Sequence, residues 1–93
     1  HAFNIDFITS NLQGAILDGI QASRSDFTRS DLTGASLRGA DLREARMYRT
    51  ILVDADLTDA ELRRTDLSQA DLSGATWIDG VRICRPGSIG RCN

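Results

Sequence analysis

The stretch Ala40-Asp41-Leu42-Arg43-Glu44 is one unit of a five-residue period that runs without insertion from Ile5 to Asp79. Each unit has a large residue at its centre, and a mostly small residue stands two positions earlier. The large centres are Phe7, Leu12, Leu17, Phe27, Leu32, Leu37, Leu42, Met47, Leu52, Leu57, Leu62, Leu67, Leu72 and Trp77. The exception is Ala22, where Ile20 occupies the small position, and we expect Ile20 to fill the missing volume.

This period fits neither common template of secondary structure. A helix places apolar residues three and four apart, and a simple strand alternates strictly. Here two inward positions lie two apart and are followed by a three-residue gap, which predicts a short extended segment and then a turn. The chain is therefore expected to wind as a coil of short sides.

Units such as Ala40–Glu44, Ala55-Asp56-Leu57-Thr58-Asp59 and Ala70-Asp71-Leu72-Ser73-Gly74 resemble the pentapeptide-repeat family. The resemblance implies an all-β fold, a right-handed quadrilateral β-helix with four pentapeptides per coil and nearly four coils in this chain. The expected organisation is an N-terminal lead-in at 1–4, the β-helix at 5–79 and a C-terminal cap at 80–93. Trp77, where the repeat stops, is expected to help close that end.

Composition and charge narrow the classes of partner. Thirteen acidic residues and eleven arginines, without lysine, leave a net charge of −2. This balance predicts no nucleic-acid partner, and no apolar run is long enough to predict membrane insertion. Because residue 1 is His1 and not Met, we expect the chain to be a processed or trimmed product.

Two cysteines, Cys84 and Cys92, lie eight residues apart in the tail and flank a Pro-Gly-Ser turn. A disulfide between them would close a nine-residue loop, two free thiols are the alternative, and zinc is the weakest interpretation because a second ligand pair is missing. The segment from Trp77 to Gly80 and the tail also resemble exported bacterial and thylakoid-lumen family members. That similarity predicts an oxidising compartment, with the thylakoid lumen favoured and the bacterial periplasm second.

The sequence predicts no active site, cofactor or metal centre. The single histidine is terminal, and Ser25, Ser30, Thr50 and Thr65 stand at the small inward position, where a hydroxyl is expected to bond nearby backbone. The chain is therefore not expected to be an enzyme.

Sorting the charges on a twenty-residue coil makes two of the four sides acidic and leaves the other two nearly balanced. On the balanced half, two columns should alternate in sign: one is Arg24, Glu44 and Arg64, and the other is Asp26, Arg46 and Asp66. On the acidic half, Asp59 and Asp79 stack one coil apart and mark either a cation site or solvated carboxylates.

One outward stretch departs from the polar pattern: Tyr48, Ile51 and Val53, flanked by Arg46 and Arg49. An aromatic residue between arginines is typical of a protein contact, although scattered surface apolar residues are also ordinary. The favoured function is a non-enzymatic protein-interaction or scaffold module, with a partner at the surface of a photosynthetic membrane complex. The alternative, from the acidic half and the resemblance, is a DNA-mimic inhibitor or protector of DNA gyrase.

Overall fold

A computed structural model of the chain describes residues 4–93, and residues 1–3 of the expected lead-in lie outside the described part. Its backbone winds so that residues twenty apart form parallel bridges, such as Asp6 with Asp26 and Asp26 with Arg46. Between residues 4 and 93 there is no helix, and the strand content consists of isolated bridges. The bridged positions fall every five residues from Asp6 to Thr76. Four pentapeptides thus complete one coil.

Each coil has four sides, one pentapeptide long. The first side consists of residues 5–9, 25–29, 45–49 and 65–69, the second of 10–14, 30–34, 50–54 and 70–74, the third of 15–19, 35–39, 55–59 and 75–79, and the fourth of 20–24, 40–44 and 60–64.

A tight turn at the end of each pentapeptide makes the corner. The carbonyl of Leu32 accepts a hydrogen bond from the N–H of Ala35 at 2.9 Å, and Gly34 between them has φ of 69°. A positive φ at the third residue of a four-residue turn is the type II geometry, which glycine adopts without steric cost. Arg29 occupies the same position on another side with φ of 60°, so the corner geometry holds without glycine.

The core is a stack of the unit centres. Leu32, Leu52 and Leu72 lie above one another and are fully buried, and the ring centroids of Phe7 and Phe27 are 4.7 Å apart. Ile20 packs against the core beside the fully buried Ala22. The chain thus exchanges the large and small positions there and retains an apolar interior.

The hydroxyls at the small inward position bond the backbone, as expected. Thr50 donates its Oγ1 hydrogen to the carbonyl of Phe27 at 2.7 Å, and Thr65 donates to the carbonyl of Leu42 at 2.6 Å. Ser30 donates to the carbonyl of Phe27, and Ser25 accepts from the N–H of Ile5. These hydroxyls are structural groups and not exposed nucleophiles.

The tail folds back antiparallel over two sides of the last coil. Ile89 bridges Asp71 on the second side, and Ile83 bridges Thr76 on the third. Cys84 is fully buried at this end and forms a disulfide with Cys92, with the two Cα atoms 4.8 Å apart. Trp77 is only partly buried against the core, so the tail provides most of the cover.

Candidate protein-interaction surface

The five residues singled out for a protein contact lie around one corner of one coil. Arg46, Tyr48 and Arg49 belong to the first side, Ile51 and Val53 belong to the second, and the chain turns between them at Arg49, where φ is 56°. We call this set the Tyr48 corner. Its backbone is held from the neighbouring coil, since the carbonyls of Tyr48, Ile51 and Val53 accept hydrogen bonds of 2.7 to 2.9 Å. The surface is therefore fixed before any partner binds.

Two contacts orient the polar half of the Tyr48 corner. The guanidinium carbon of Arg49 lies 5.4 Å from the centroid of the half-buried Tyr48 ring, a cation–π distance. The Nε of Arg49 also donates to the Oε1 of Gln69 at 3.0 Å. An aromatic face and a guanidinium group are thus presented side by side.

The apolar half is small. Ile51 bridges Asp31 in the coil below and Asp71 in the coil above, and 39% of its surface is exposed. Val53 is half-buried on the same side. The branched side chains therefore form an apolar spot with a carboxylate residue on each side of Ile51.

Other apolar residues are more exposed than Ile51, and sequence reasoning did not identify them. Ile16 is 80% exposed on the third side, in the column that continues through Thr76 to Ile83, which is 57% exposed. Val81 in the tail is 81% exposed. The signal for Ile16 was present, because it takes an outward position that holds Asp in many other units, as Ile51 does.

One of the two predicted charge ladders forms. Glu44 lies between Arg24, at 3.1 Å, and Arg64, at 3.7 Å, and the Arg24 guanidinium lowers the pKa of the Glu44 carboxyl. These groups line a shallow groove of about 620 Å³ with Ser23, Arg43 and Arg63. The side chains are well exposed, so the ladder contributes little to folding.

The second predicted ladder, Asp26, Arg46 and Asp66, does not form direct ion pairs within 4.0 Å among residues 4–93. The Asp26 carboxylate instead accepts from the N–H of Thr28 at 2.9 Å, and that of Asp66 accepts from the N–H of Ser68 at 2.9 Å. A donor two residues away in the same unit is closer than an arginine from the next coil. Hydrogen bonds from the nearby backbone N–H groups therefore determine where these carboxylates point.

The proposed pair Asp59 and Asp79 has a similar explanation. Asp79 accepts backbone hydrogen bonds from Val81 and Arg82, both at 2.9 Å, and these bonds lower the pKa of its carboxyl. In the described part of the chain, no three potential metal-ligating side chains cluster. The Asp79 carboxylate starts the tail by fixing its first turn.

The carboxyl groups with lowered pKa values bind hydroxyls, backbone N–H groups or arginines within the repeat, and both cysteines are in the disulfide. Residues 4–93 include no helix of the length and apolarity that crossing a membrane requires. The surface features left for function are the Tyr48 corner, the charged groove and the two ends of the coil stack.

Parallel stacking at a fixed interval of twenty residues places the protein in the class of β-solenoids. Comparison with known families agrees, because pentapeptide repeats match in eight copies over residues 5–43 and 40–76. The chain belongs to the pentapeptide repeat family, whose relatives form right-handed β-helices and generally serve as non-enzymatic interaction modules. No curated protein sequence matches the chain.

Several solved structures are similar to this chain, and two of them are informative. HetL, a pentapeptide repeat protein involved in heterocyst differentiation regulation from the cyanobacterium Nostoc sp., is 30% identical with a TM-score of 0.70. The match covers 88% of this chain and 48% of HetL. A pentapeptide repeat protein from the Arabidopsis thaliana thylakoid lumen is 32% identical with a TM-score of 0.55, over 80% of this chain and 44% of its own length. The chain thus spans about half the length of these relatives.

Proposed function

We propose that the chain is a non-enzymatic protein-binding module that contacts its partner through the Tyr48 corner. A β-helix of nearly four coils, covered on two sides of its C-terminal end by the disulfide-clasped cap, supports this corner. The observation that carries the proposal is the contact of Arg49 with Tyr48 next to the exposed Ile51. Tyr and Arg are the residues most enriched among those that dominate binding energy.

The disulfide and one similar structure support a proposal for the compartment. A Cys84–Cys92 disulfide is stable in an oxidising environment, and one similar structure comes from a thylakoid lumen. We therefore propose the thylakoid lumen first and the bacterial periplasm second. The corresponding partner is a protein at the lumenal surface of a photosynthetic membrane complex.

A capture experiment with a matched control tests the Tyr48 corner. The purified chain is immobilised as wild type, as Tyr48→Ala with Ile51→Ser, and as Ile8→Ser with Ile16→Ser, which changes two exposed isoleucines outside the corner. Partners from solubilised thylakoid membranes are then quantified by mass spectrometry. We expect the corner variant to lose roughly tenfold or more of the captured partner, as expected for an interface aromatic that contributes about 1.4 kcal/mol or more.

Equal recovery by all three baits would contradict the proposed contact, and so would an equal loss in both variants. Retention of purified DNA gyrase in preference to any thylakoid protein would support the DNA-mimic alternative instead.

A further inference from the structure

The C-terminal end of the coil stack is covered on two of its four sides only. In the last coil, the N–H groups of Leu72, Gly74 and Trp77 donate to the tail carbonyls of Ser88, Cys84 and Arg82 at 2.7 to 2.9 Å. The tail thus takes the place of a further coil on the second and third sides. The other two sides of that coil, residues 60–64 and 65–69, are named here the open edge.

The backbone groups of the open edge are placed so that they could pair with a further strand added to the stack. In the coil below, Leu42 and Glu44 donate to the carbonyls of Glu61 and Arg63, and Met47 and Arg49 donate in the same way to Asp66 and Ser68. The equivalent N–H groups of the open edge find no acceptor among residues 4–93: they are those of Leu62, Arg64, Leu67 and Gln69. The carbonyls of Ala60 and Thr65 likewise lack the donors that the carbonyls of Ala40 and Ala45 have.

Apolar surface is exposed along the same edge. Leu62 and Leu67 are only partly buried, whereas Leu42 and Met47 directly beneath them are fully buried. A shallow depression of about 350 Å³ lies beside Leu62 and extends to Ile78 on the third side. Covering the two leucines would remove apolar area from water at about 25 cal/mol per Å².

The tail prevents the flat end of another coil stack from binding at this end. Because residues 80–93 form a layer above the second and third sides, the square end of a second copy cannot rest on the whole coil. The tail also reaches the corner at Gln69, since a Cβ on Gly90 would lie 3.7 Å from the backbone N of Gln69. The open edge therefore accepts a single extended segment that pairs with residues 60–68. This is β-strand addition, in which main-chain bonds supply affinity and side chains supply selectivity.

Charge identifies the segment as acidic. The column Arg24, Glu44 and Arg64 alternates in sign, so that a carboxylate is the residue that continues it above Arg64. Arg63 has no ion pair within 4.0 Å in the described chain, and the tail adds three arginines and no acidic side chain. The open edge also carries Glu61 and Asp66, but Glu61 lies 3.4 Å from Arg43 and Asp66 accepts from the N–H of Ser68. A carboxylate of the segment thus meets complementary charge at Arg63 and Arg64.

We propose that the open edge binds an extended acidic segment of a partner protein. The segment pairs in parallel with residues 60–68, places an apolar side chain over Leu62 and another over Leu67, and sets a carboxylate beside Arg64. This site is separate from the Tyr48 corner and does not depend on the function proposed for it.

The test uses the whole disulfide-bonded chain and two synthetic peptides. The peptide ADLTEADLTE has the repeat pattern with its first glutamate above Arg64, and ADLTRADLTR is the same peptide with arginine in place of both glutamates. Backbone amides are followed by NMR hydrogen exchange during titration. At saturating acidic peptide, we expect exchange at Leu62, Arg64 and Leu67 to slow by roughly tenfold, which corresponds to about 1.4 kcal/mol of protection.

Charge variants separate binding at the edge from general attraction. Arg64→Glu should weaken the acidic peptide by about two- to fivefold, the range for an exposed ion pair, and should favour the arginine peptide. Arg38→Glu makes the same charge change on the third side and should leave both affinities unchanged. The proposal is overturned if the three amides do not respond, if they are already as protected as Leu42 in the free chain, or if Arg64→Glu binds both peptides like wild type.

Discussion

At the scale of single residues, the aspartates that precede several of the unit centres are explained by the turn and not by their charge. The carboxylates of Asp31 and Asp56 accept from the N–H two residues later at 3.0 Å and from the hydroxyl of the same residue, Thr33 or Thr58, at 2.6 and 2.5 Å. These bonds lower the pKa of both carboxyls below the ordinary value of 3.8. Asp is thus a local cap that satisfies a backbone donor before each corner.

Removal of this cap from a central unit tests the explanation. We expect Asp56→Ala to lower the free energy of unfolding by about 1 kcal/mol, since a backbone donor and a hydroxyl lose their acceptor. Asp56→Asn keeps an oxygen at the same place and should lose less than half as much. The two values are measured by urea denaturation. Equal losses would mean that the charge, including its 3.9 Å approach to Arg38, matters more than the hydrogen bonds.

At the scale of elements, the tail is a cap that contains one disulfide. Cys84 is fully buried above the core, and Ser88, also fully buried, donates through its Oγ to the carbonyl of Arg85 at 2.7 Å. Gly87 and Gly90 take φ values of 83° and 80°, which glycine adopts without strain. Five backbone hydrogen bonds join residues 82–90 of the tail to the last coil, and the disulfide closes the loop between Cys84 and Cys92 within the tail.

Loss of the disulfide should therefore loosen the cap before the coils. We expect Cys92→Ser to lower the free energy of unfolding by about 2.6 kcal/mol, from the chain entropy of a nine-residue loop. Hydrogen exchange should accelerate at Gly74 and Trp77, which donate to the tail, and should stay slow at Leu42. Addition of reductant to the wild type should reproduce the effect and should not change Cys92→Ser further. If reduction left the midpoint of unfolding unchanged, the disulfide would not stabilise the cap as expected.

The five-residue period was sufficient to predict the coils but not the structure at the ends of the coil stack. Inward positions such as Leu32 follow from size and spacing alone, because a buried unit centre must be apolar in every coil. The direction in which the Asp26 carboxylate points could not be predicted from the period, because Thr28 and a distant arginine compete for it. The open edge could not be predicted either. It exists because the tail turns back over Leu72 and not over Leu62, and that choice depends on tertiary packing and not on a repeat pattern.

At the scale of the whole molecule, carboxylates with lowered pKa values make stability depend on acid. Hydrogen bonds from Arg43 lower the pKa of Asp41, and those from Ser68 lower that of Asp66. A lowered folded-state pKa gives stability that is complete above the unfolded value and is lost as the pH falls through the folded value. The chain should thus keep its stability down to about pH 5 and lose it progressively below about pH 4.

Urea denaturation between pH 7 and pH 2 checks this expectation. Asp56→Asn should lose less stability over the acidic range than wild type, because one of the linked carboxyls is absent. A stability that rises on acidification would contradict the sign of the linkage.

The last prediction concerns how stability is distributed along the stack, whose overall dimensions are 31 × 24 × 22 Å. Each coil contacts only its neighbours, so a residue in an end coil has half of the packing of an inner one. Leu12 and Leu32 occupy the same column, but Leu32 is fully buried and Leu12 is only partly buried. We expect Leu32→Ala to cost about 2–5 kcal/mol of unfolding free energy, and Leu12→Ala to cost less than half of that amount. Equal costs in urea denaturation would mean that the first coil is covered as well as the inner ones, which would contradict the one-dimensional description of the stack.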